Sequence, residues 1–245
     1  TVEEKDGKRS VKWEPNFRFI DTASVQPDPE TMKLVEDYQK QLDNELNVVI
    51  GKTTNGLDSR RNIVRTQEAA IGNLIADAMR DVTGADVAIM NGGGIRADKE
   101  YAAGSDITRK DILTELPFGN VTVLVELTGK QIREAMENSV SKLEDGAGRF
   151  AHVSGMKVEF DATKPAGERV ASVMVGDKPL DDAASYKLAT NDFVLGGGDG
   201  FTSLTQGKVQ VDACGGKLVA NDVMVDVKKL GTVDAKVEGR ITIKQ

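Results

Sequence analysis

The sequence predicts an α+β fold: a mixed β-sheet packed with helices, preceded by a leader and one long helix. Helical and strand-like patterns are interleaved along 245 residues. Hairpin-like strand pairs dominate the second half, which favours a mixed sheet over a doubly wound parallel one. A hydrophobic fraction of 39% with 29% charged residues is the ordinary balance of a globular chain.

The leader comes first. In residues 1–25, Val11, Trp13, Phe17 and Phe19 alternate around Pro15, a pattern expected of a half-buried hairpin or edge strand. So much aromatic surface on a short segment suggests packing against a body. Residues 28–47 read as the clearest helix. Asp28 suits the cap, Pro29 the first helical position, and Glu30 the positive end of the dipole. Val35, Tyr38, Leu42, Leu46 and Val49 form its apolar stripe.

A polar loop is expected from Lys52 to Asn62, carrying Arg60 and Arg61, with Arg65 four residues after Arg61. A helix follows from about Gln67 to Val82, with Ile71, Leu74, Ile75 and Ala78 on one face and Gly84 closing it. The spacing of Arg61 and Arg65 puts both on one side of a helical backbone. Two cations beside a helix start oppose its dipole, a conflict that an incoming anion resolves. The plain alternative is a solvated basic loop.

The run Asp86-Val87-Ala88-Ile89-Met90 reads as a buried strand that opens into Asn91-Gly92-Gly93-Gly94-Ile95-Arg96. Three glycines free the backbone for positive φ or for close approach by another group, and the arginine suits an anion. A tight turn with a surface arginine would look the same. Beyond it, Thr108–Leu116 reads as a short helix stopped by Pro117. Phe118-Gly119-Asn120 is a turn, and Val121–Leu127 a strand. Thr128 and Gln131 form a capping box for a helix over 129–143. Strands are expected at Val153–Phe160, Val170–Val175 and Tyr186–Asp192. A second glycine cluster, Phe193 to Phe201, follows the last of these. A helix near Asn221–Leu230 and a strand over Arg240–Lys244 close the chain.

Composition narrows the function. A net charge of −7 and a pI near 5.0 argue against a nucleic-acid polymer as partner. No apolar run reaches membrane-spanning length. No signal peptide is recognised at Thr1-Val2-Glu3-Glu4, as in a mature exported protein or a fragment. The single cysteine, Cys214, excludes an internal disulfide. With one histidine, His152, and no clustered metal-ligand pattern, the chain is not expected to hold a transition-metal hydrolytic centre or any other cofactor.

Three arginines (61, 65, 96), two phenylalanines (118, 193), Asn91 and Asp199 each match a part of a nucleotide. Guanidinium forks bind phosphate bidentately. Two rings can sandwich a base. A carboxylate can accept from ribose hydroxyls, and an amide can both donate to and accept from a base edge. Each has a dull counterpart: Phe after Pro as a core plug, Asp in a glycine loop as an Asx-turn former.

Three motifs, Asn91–Arg96, Leu116-Pro117-Phe118-Gly119-Asn120 and Gly197-Gly198-Asp199-Gly200-Phe201, resemble the signatures of the C-terminal domain of 5′-nucleotidases. That superfamily also includes UDP-sugar hydrolases and 2′,3′-cyclic-nucleotide phosphodiesterases. The resemblance runs from about Val49 to Ile243. It implies a substrate-recognition domain over 49–245, a linker helix over 26–48, and in 1–25 the last strands of an N-terminal metallophosphatase domain. It implies that Arg61, Arg65 and Arg96 bind phosphate, that Phe118 and Phe193 clamp the base, that Asp199 holds the ribose and that Asn91 touches the base. Gly93, Gly94 and Gly198 would clear space around the ligand. One departure is Gly196, where relatives often carry Asn or Thr. The family's hydrolysis uses two divalent metal ions in the N-terminal domain, so this chain is expected to be inactive alone and to come from a periplasmic, secreted or cell-surface protein. The same residues would serve a cyclic-nucleotide phosphodiesterase, a nucleotide-sugar hydrolase, or a binding module whose nucleotide site has lapsed.

Overall fold

The computed structural model describes residues 2–244. The chain separates into two compact units, Thr1–Asp43 and Asn44–Gln245.

In the first unit, Val2–Lys5 and Lys8–Val11 pair antiparallel around Asp6-Gly7, whose φ values of 54° and 72° suit the tight turn of a hairpin. The hairpin therefore lies earlier than the aromatic alternation suggested. Trp13, Phe17 and Phe19 sit outside any strand and are 76%, 85% and 99% exposed. Alternation needs a facing strand to become a ladder, and Pro15 removes a donor where one would form. The long helix runs Pro29–Leu46, none of its residues buried. Asp28 Oδ1 caps it, accepting from Thr31 N at 2.9 Å.

The second unit is built on a five-stranded mixed sheet. Its strand order is Lys208–Val211, Thr122–Thr128, Ser185–Asn191, Val87–Asn91 and Ala151–Ser154. The two strands ending in asparagine run parallel, with Leu188 beside Val87. All other neighbours are antiparallel. Both faces are covered, which accounts for the unbroken apolar run before Asn91. Ala88 and Met90 enter a core with Ile71, Leu74 and Ile75 of the helix Ala70–Thr83. Val87 and Ile89 enter a second core with Ile132 and Met136 of the helix Gly129–Val140. Both capping boxes, Thr128/Gln131 and Thr108/Asp111, are formed.

Several boundaries differ from the sequence pattern. The segment expected as one strand over Val153–Phe160 is two, Ala151–Ser154 and Met156–Asp161, in different sheets. Gly155 makes the corner with φ 72°, and a Cβ there would stand 2.2 Å from Asp86 O. The apolar alternation changes phase there, from Ala151 and Val153 to Met156, Val158 and Phe160, a break that the single-strand reading passed over. The four-stranded sheet beyond runs Lys178–Pro179, Val170–Val175, Met156–Asp161, Ile241–Lys244. Residues 52–62 are not an irregular loop: Leu57–Asp58 pairs with Glu100–Tyr101, and Arg61 opens a single helical turn, Arg61–Val64. The helices expected from Gln67, to 143 and from Asn221 are found at Ala70–Thr83, Gly129–Val140 and Val219–Leu230. The strand Lys208–Val211 and the short helix Asp192–Leu195 are additions to the elements expected from the sequence. No helix among the described residues is long and apolar enough to cross a membrane.

Candidate functional site

The two parallel strands end side by side, and the site forms where they end. Asn91 lies at the end of one strand and the three-glycine turn follows it. Asn191 ends the other, and the turn carrying Phe193 and then Asp199 follows. Between these turns and the Phe118 loop is a cavity of about 390 Å3. Arg65, Asn91, Gly93, Gly94, Arg96, Phe118, Phe193 and Asp199 line it, joined by Asn120 and Gly148. Arg61 and Gly198 do not form its walls.

The glycines act by close packing. None of Gly92, Gly93 and Gly94 has positive φ; they form one 3-10 turn. A Cβ on Gly92 would meet Val64 O at 2.0 Å, and one on Gly93 would meet Gly148 Cα at 2.9 Å. Gly92 N donates to Phe150 O at 2.6 Å and Gly93 N to Gly148 O at 2.7 Å. These two amides are spent inside the protein and are not available to an anion. Gly198 has a different task. Its missing Cβ leaves room for the Phe193 ring, whose nearest atom would be 2.5 Å away.

The positive charge comes from side chains. Arg65 is only 8% exposed, yet its Nε has no hydrogen-bond partner. Burial, then the charges of Arg61 and Arg96, hold its guanidinium below the ordinary arginine pKa, with Asp199 pulling the other way. Among the described residues none of the three forms a salt bridge, in a chain with more acids than bases. Arg60 is different: it forks onto Asp58 at 2.6 Å and Glu100 at 2.7 Å, which gives it a structural role. The arginine of the glycine turn is held by its backbone, Arg96 N donating to Glu115 O at 2.9 Å. Glu115 is buried, its carboxyl pKa raised by that burial, and accepts from Tyr101 Oη at 2.7 Å.

The rings are not core plugs. Phe118 is 60% and Phe193 47% exposed, and both face the cavity. Asp199 sits at φ 54° between Gly197 and Gly200, also at positive φ. Its Oδ2 accepts from Asn91 Nδ2 at 2.7 Å, so it serves as a fixed acceptor and not as an Asx-turn former. Asn91 Oδ1 is itself taken by Asn191 Nδ2 at 3.0 Å, so towards a ligand Asn91 offers its remaining N–H. Asn120 was missed as a wall residue because it reads as the polar end of a turn. Gly148 was missed because only its partner across the fold gives it meaning.

Among the described residues no group of three or more His, Cys, Asp or Glu could hold a metal ion. The one histidine is fully buried; its Nε2–H donates to Val64 O at 2.9 Å, and burial lowers its pKa to about 4. The described residues offer no ligand set for a two-metal centre.

The cavity thus sits on an α+β scaffold and is walled by two arginines, two exposed aromatic rings and a carboxylate. The chain belongs to the 5′-nucleotidase family: the profile of "5′-nucleotidase, C-terminal domain" matches residues 49–206. It is 38% identical over 227 residues to the trifunctional nucleotide phosphoesterase protein YfkN of Bacillus subtilis (strain 168), covering 89% of this chain and 15% of that one. Against the 5′-nucleotidase of Diplobatis ommata it is 32% identical over 249 residues, covering 94% of this chain and 43% of the relative. The crystal structure of a 5′-nucleotidase precursor from Thermus thermophilus superposes with a TM-score of 0.79 at 39% identity, over 88% of this chain and 43% of the other. The chain thus spans less than half the length of these relatives.

Proposed function

We propose that this domain binds a nucleotide and presents its phosphate ester for hydrolysis to nucleoside and phosphate, within a metal-dependent 5′-nucleotidase. The observation that carries the reading is the buried Arg65 guanidinium, short of a hydrogen-bond partner and pressed by two like charges. A buried cation with no salt-bridged partner is costly, and a phosphate supplies the acceptor that its Nε lacks. Arg61 and Arg96 complete the phosphate site. Phe118 and Phe193 take the base, Asp199 the ribose, and Asn91 donates its free N–H to the base edge. The names of the relatives, nucleotide phosphoesterase and 5′-nucleotidase, support the substrate class.

The hydrolytic groups, with two divalent metal ions, belong to an N-terminal metallophosphatase domain, and this chain alone is inactive. Residues 1–25 are the edge of that domain and residues 26–48 the linker. A two-stranded hairpin is marginal by itself, and the exposed Trp13, Phe17 and Phe19 suit burial against such a body. The Thermus relative is described as a precursor, which fits an exported protein.

Calorimetric titration with adenosine and AMP tests the assignment, comparing the wild-type chain with a Phe118→Ala, Phe193→Ala double variant. Binding by the wild type and its loss in the variant are expected. Equal heats from both proteins would remove the base clamp.

A further inference from the structure

The geometry points to Asn191 as a positioning residue that decides which face of Asp199 is turned to a ribose. The inference rests on the nucleotide reading above. Asn191 is 1% exposed and is not among the residues that line the cavity. It closes the strand Ser185–Asn191, and both ends of its amide are engaged. Its Oδ1 accepts from Val194 N at 2.9 Å, capping the short helix Asp192–Leu195 that carries Phe193. Its Nδ2 donates to Asn91 Oδ1 at 3.0 Å and to Met90 Sδ at 3.4 Å.

The contact with Asn91 sets a direction. An amide has a donor side and an acceptor side, and a neighbour can satisfy only one of them. Because Asn191 donates to Asn91 Oδ1, the NH2 of Asn91 is turned to Asp199, where it meets Oδ2 at 2.7 Å. The donors all point the same way, from Val194 N through Asn191 and Asn91 to Asp199, and such a chain strengthens each of its members. At its end Oδ2 is engaged, while Oδ1 has no partner among the described residues. The backbone of Asp199, at φ 54°, is held from the other side by Asn138 Nδ2, which donates to Asp199 O at 3.1 Å. The carboxylate is therefore fixed in position and in orientation, with one oxygen left to accept a sugar hydroxyl. One buried amide thus sets both the ring that takes the base and the acid that takes the sugar.

The competing explanation is that Asn191 is only a helix cap. Asn191→Asp separates the two. It keeps the size and the cap acceptor, since Asp caps as well as Asn, but it replaces the NH2 by a second acceptor. The amide of Asn91 then turns its NH2 to the new carboxylate and its oxygen to Asp199. Asn191→Ser is the companion variant: it also caps but is too short to reach Asn91.

The test uses 1H–15N spectra of side-chain amides in the unliganded chain, followed by titration with adenosine and 2′-deoxyadenosine. In Asn191→Asp the Asn91 side-chain resonances are expected to move while the backbone amide of Val194 keeps its protection from solvent exchange. The preference for adenosine over 2′-deoxyadenosine should shrink on the order of tenfold, the scale of one hydrogen bond to a charged group. An unchanged preference in a folded variant, or equal losses for both nucleosides, overturns the relay and leaves the cap. If Asn191→Asp does not fold, Asn191→Ser is judged by the same ratio. Should the wild type bind neither nucleoside, the nucleotide reading falls, and the Asn91 resonances alone decide the relay.

Discussion

The guanidinium carbon of Arg96 lies 5.4 Å from the centroid of the Phe118 ring. The cation assigned to phosphate and the ring assigned to the base are thus in contact, and loss of one loosens the other. An exposed cation–π contact is worth about 0.5–1 kcal/mol, and a base stack about 1–3 kcal/mol. Phe118→Leu should therefore weaken adenosine binding by the stacking term and AMP binding by somewhat more. Calorimetry with both ligands checks this; equal losses would show that Arg96 does not depend on the ring.

Arg65 should trade stability for binding. Its charge is buried beside two others with no carboxylate salt-bridged to it. Arg65→Met keeps the length and removes the repulsion, so the unliganded domain should gain about 1 kcal/mol. The same change should shrink the preference for AMP over adenosine, leaving what Arg61 and Arg96 supply. Urea unfolding and paired titrations measure the two effects. A destabilised variant whose preference for AMP is undiminished would contradict the phosphate assignment.

His152 makes the domain acid-sensitive. Its pKa is about 4 in the fold against 6.5 for an unperturbed imidazole, so between these values the unfolded chain binds the extra proton. The contribution is complete above pH 6.5 and lost as pH falls towards 4, amounting to about 3 kcal/mol. Glu115 and Asp222, whose pKa values are raised by burial, act in the opposite sense and offset part of the loss. As the chain has one histidine, its ring resonance is unambiguous. It should not titrate between pH 7 and pH 5 in the folded protein, and titration near 6.5 would show the ring to be solvated.

The glycine turn should tolerate change unevenly. In Gly92→Ala the new methyl meets the Val64 carbonyl at 2.0 Å, backbone that cannot yield, whereas in Gly94→Ala it meets the flexible Met90 Cε at 2.5 Å. A loss of about 3 kcal/mol is expected for the first and under about 1 kcal/mol for the second. Denaturant midpoints compare them, and equal costs would mean that close packing is not what these glycines provide.

Local chemistry in the sequence was a good guide. The capping box at Thr128, the helix after Thr108, the buried strand before Asn91 and the three motifs could each be read from a few neighbouring residues. What stayed hidden depends on distant partners. Asn91 and Asp199 are 108 residues apart, and only the sheet order makes them neighbours. Asn191 and Gly148 have no local signature, because their roles exist only opposite Asn91 and Gly93. Arg61 fits the family spacing but stands outside the cavity wall, where it acts on Arg65 through charge. The leader misled because alternating aromatics without a facing strand remain a pattern and form no ladder.

A crystal structure of the chain with AMP tests the central claim most directly. The base is expected between Phe118 and Phe193, a ribose hydroxyl on Asp199 Oδ1, and the phosphate within hydrogen-bonding distance of Arg65 Nε. A phosphate bound away from Arg65, or a cavity left empty with both rings turned from it, would contradict the account.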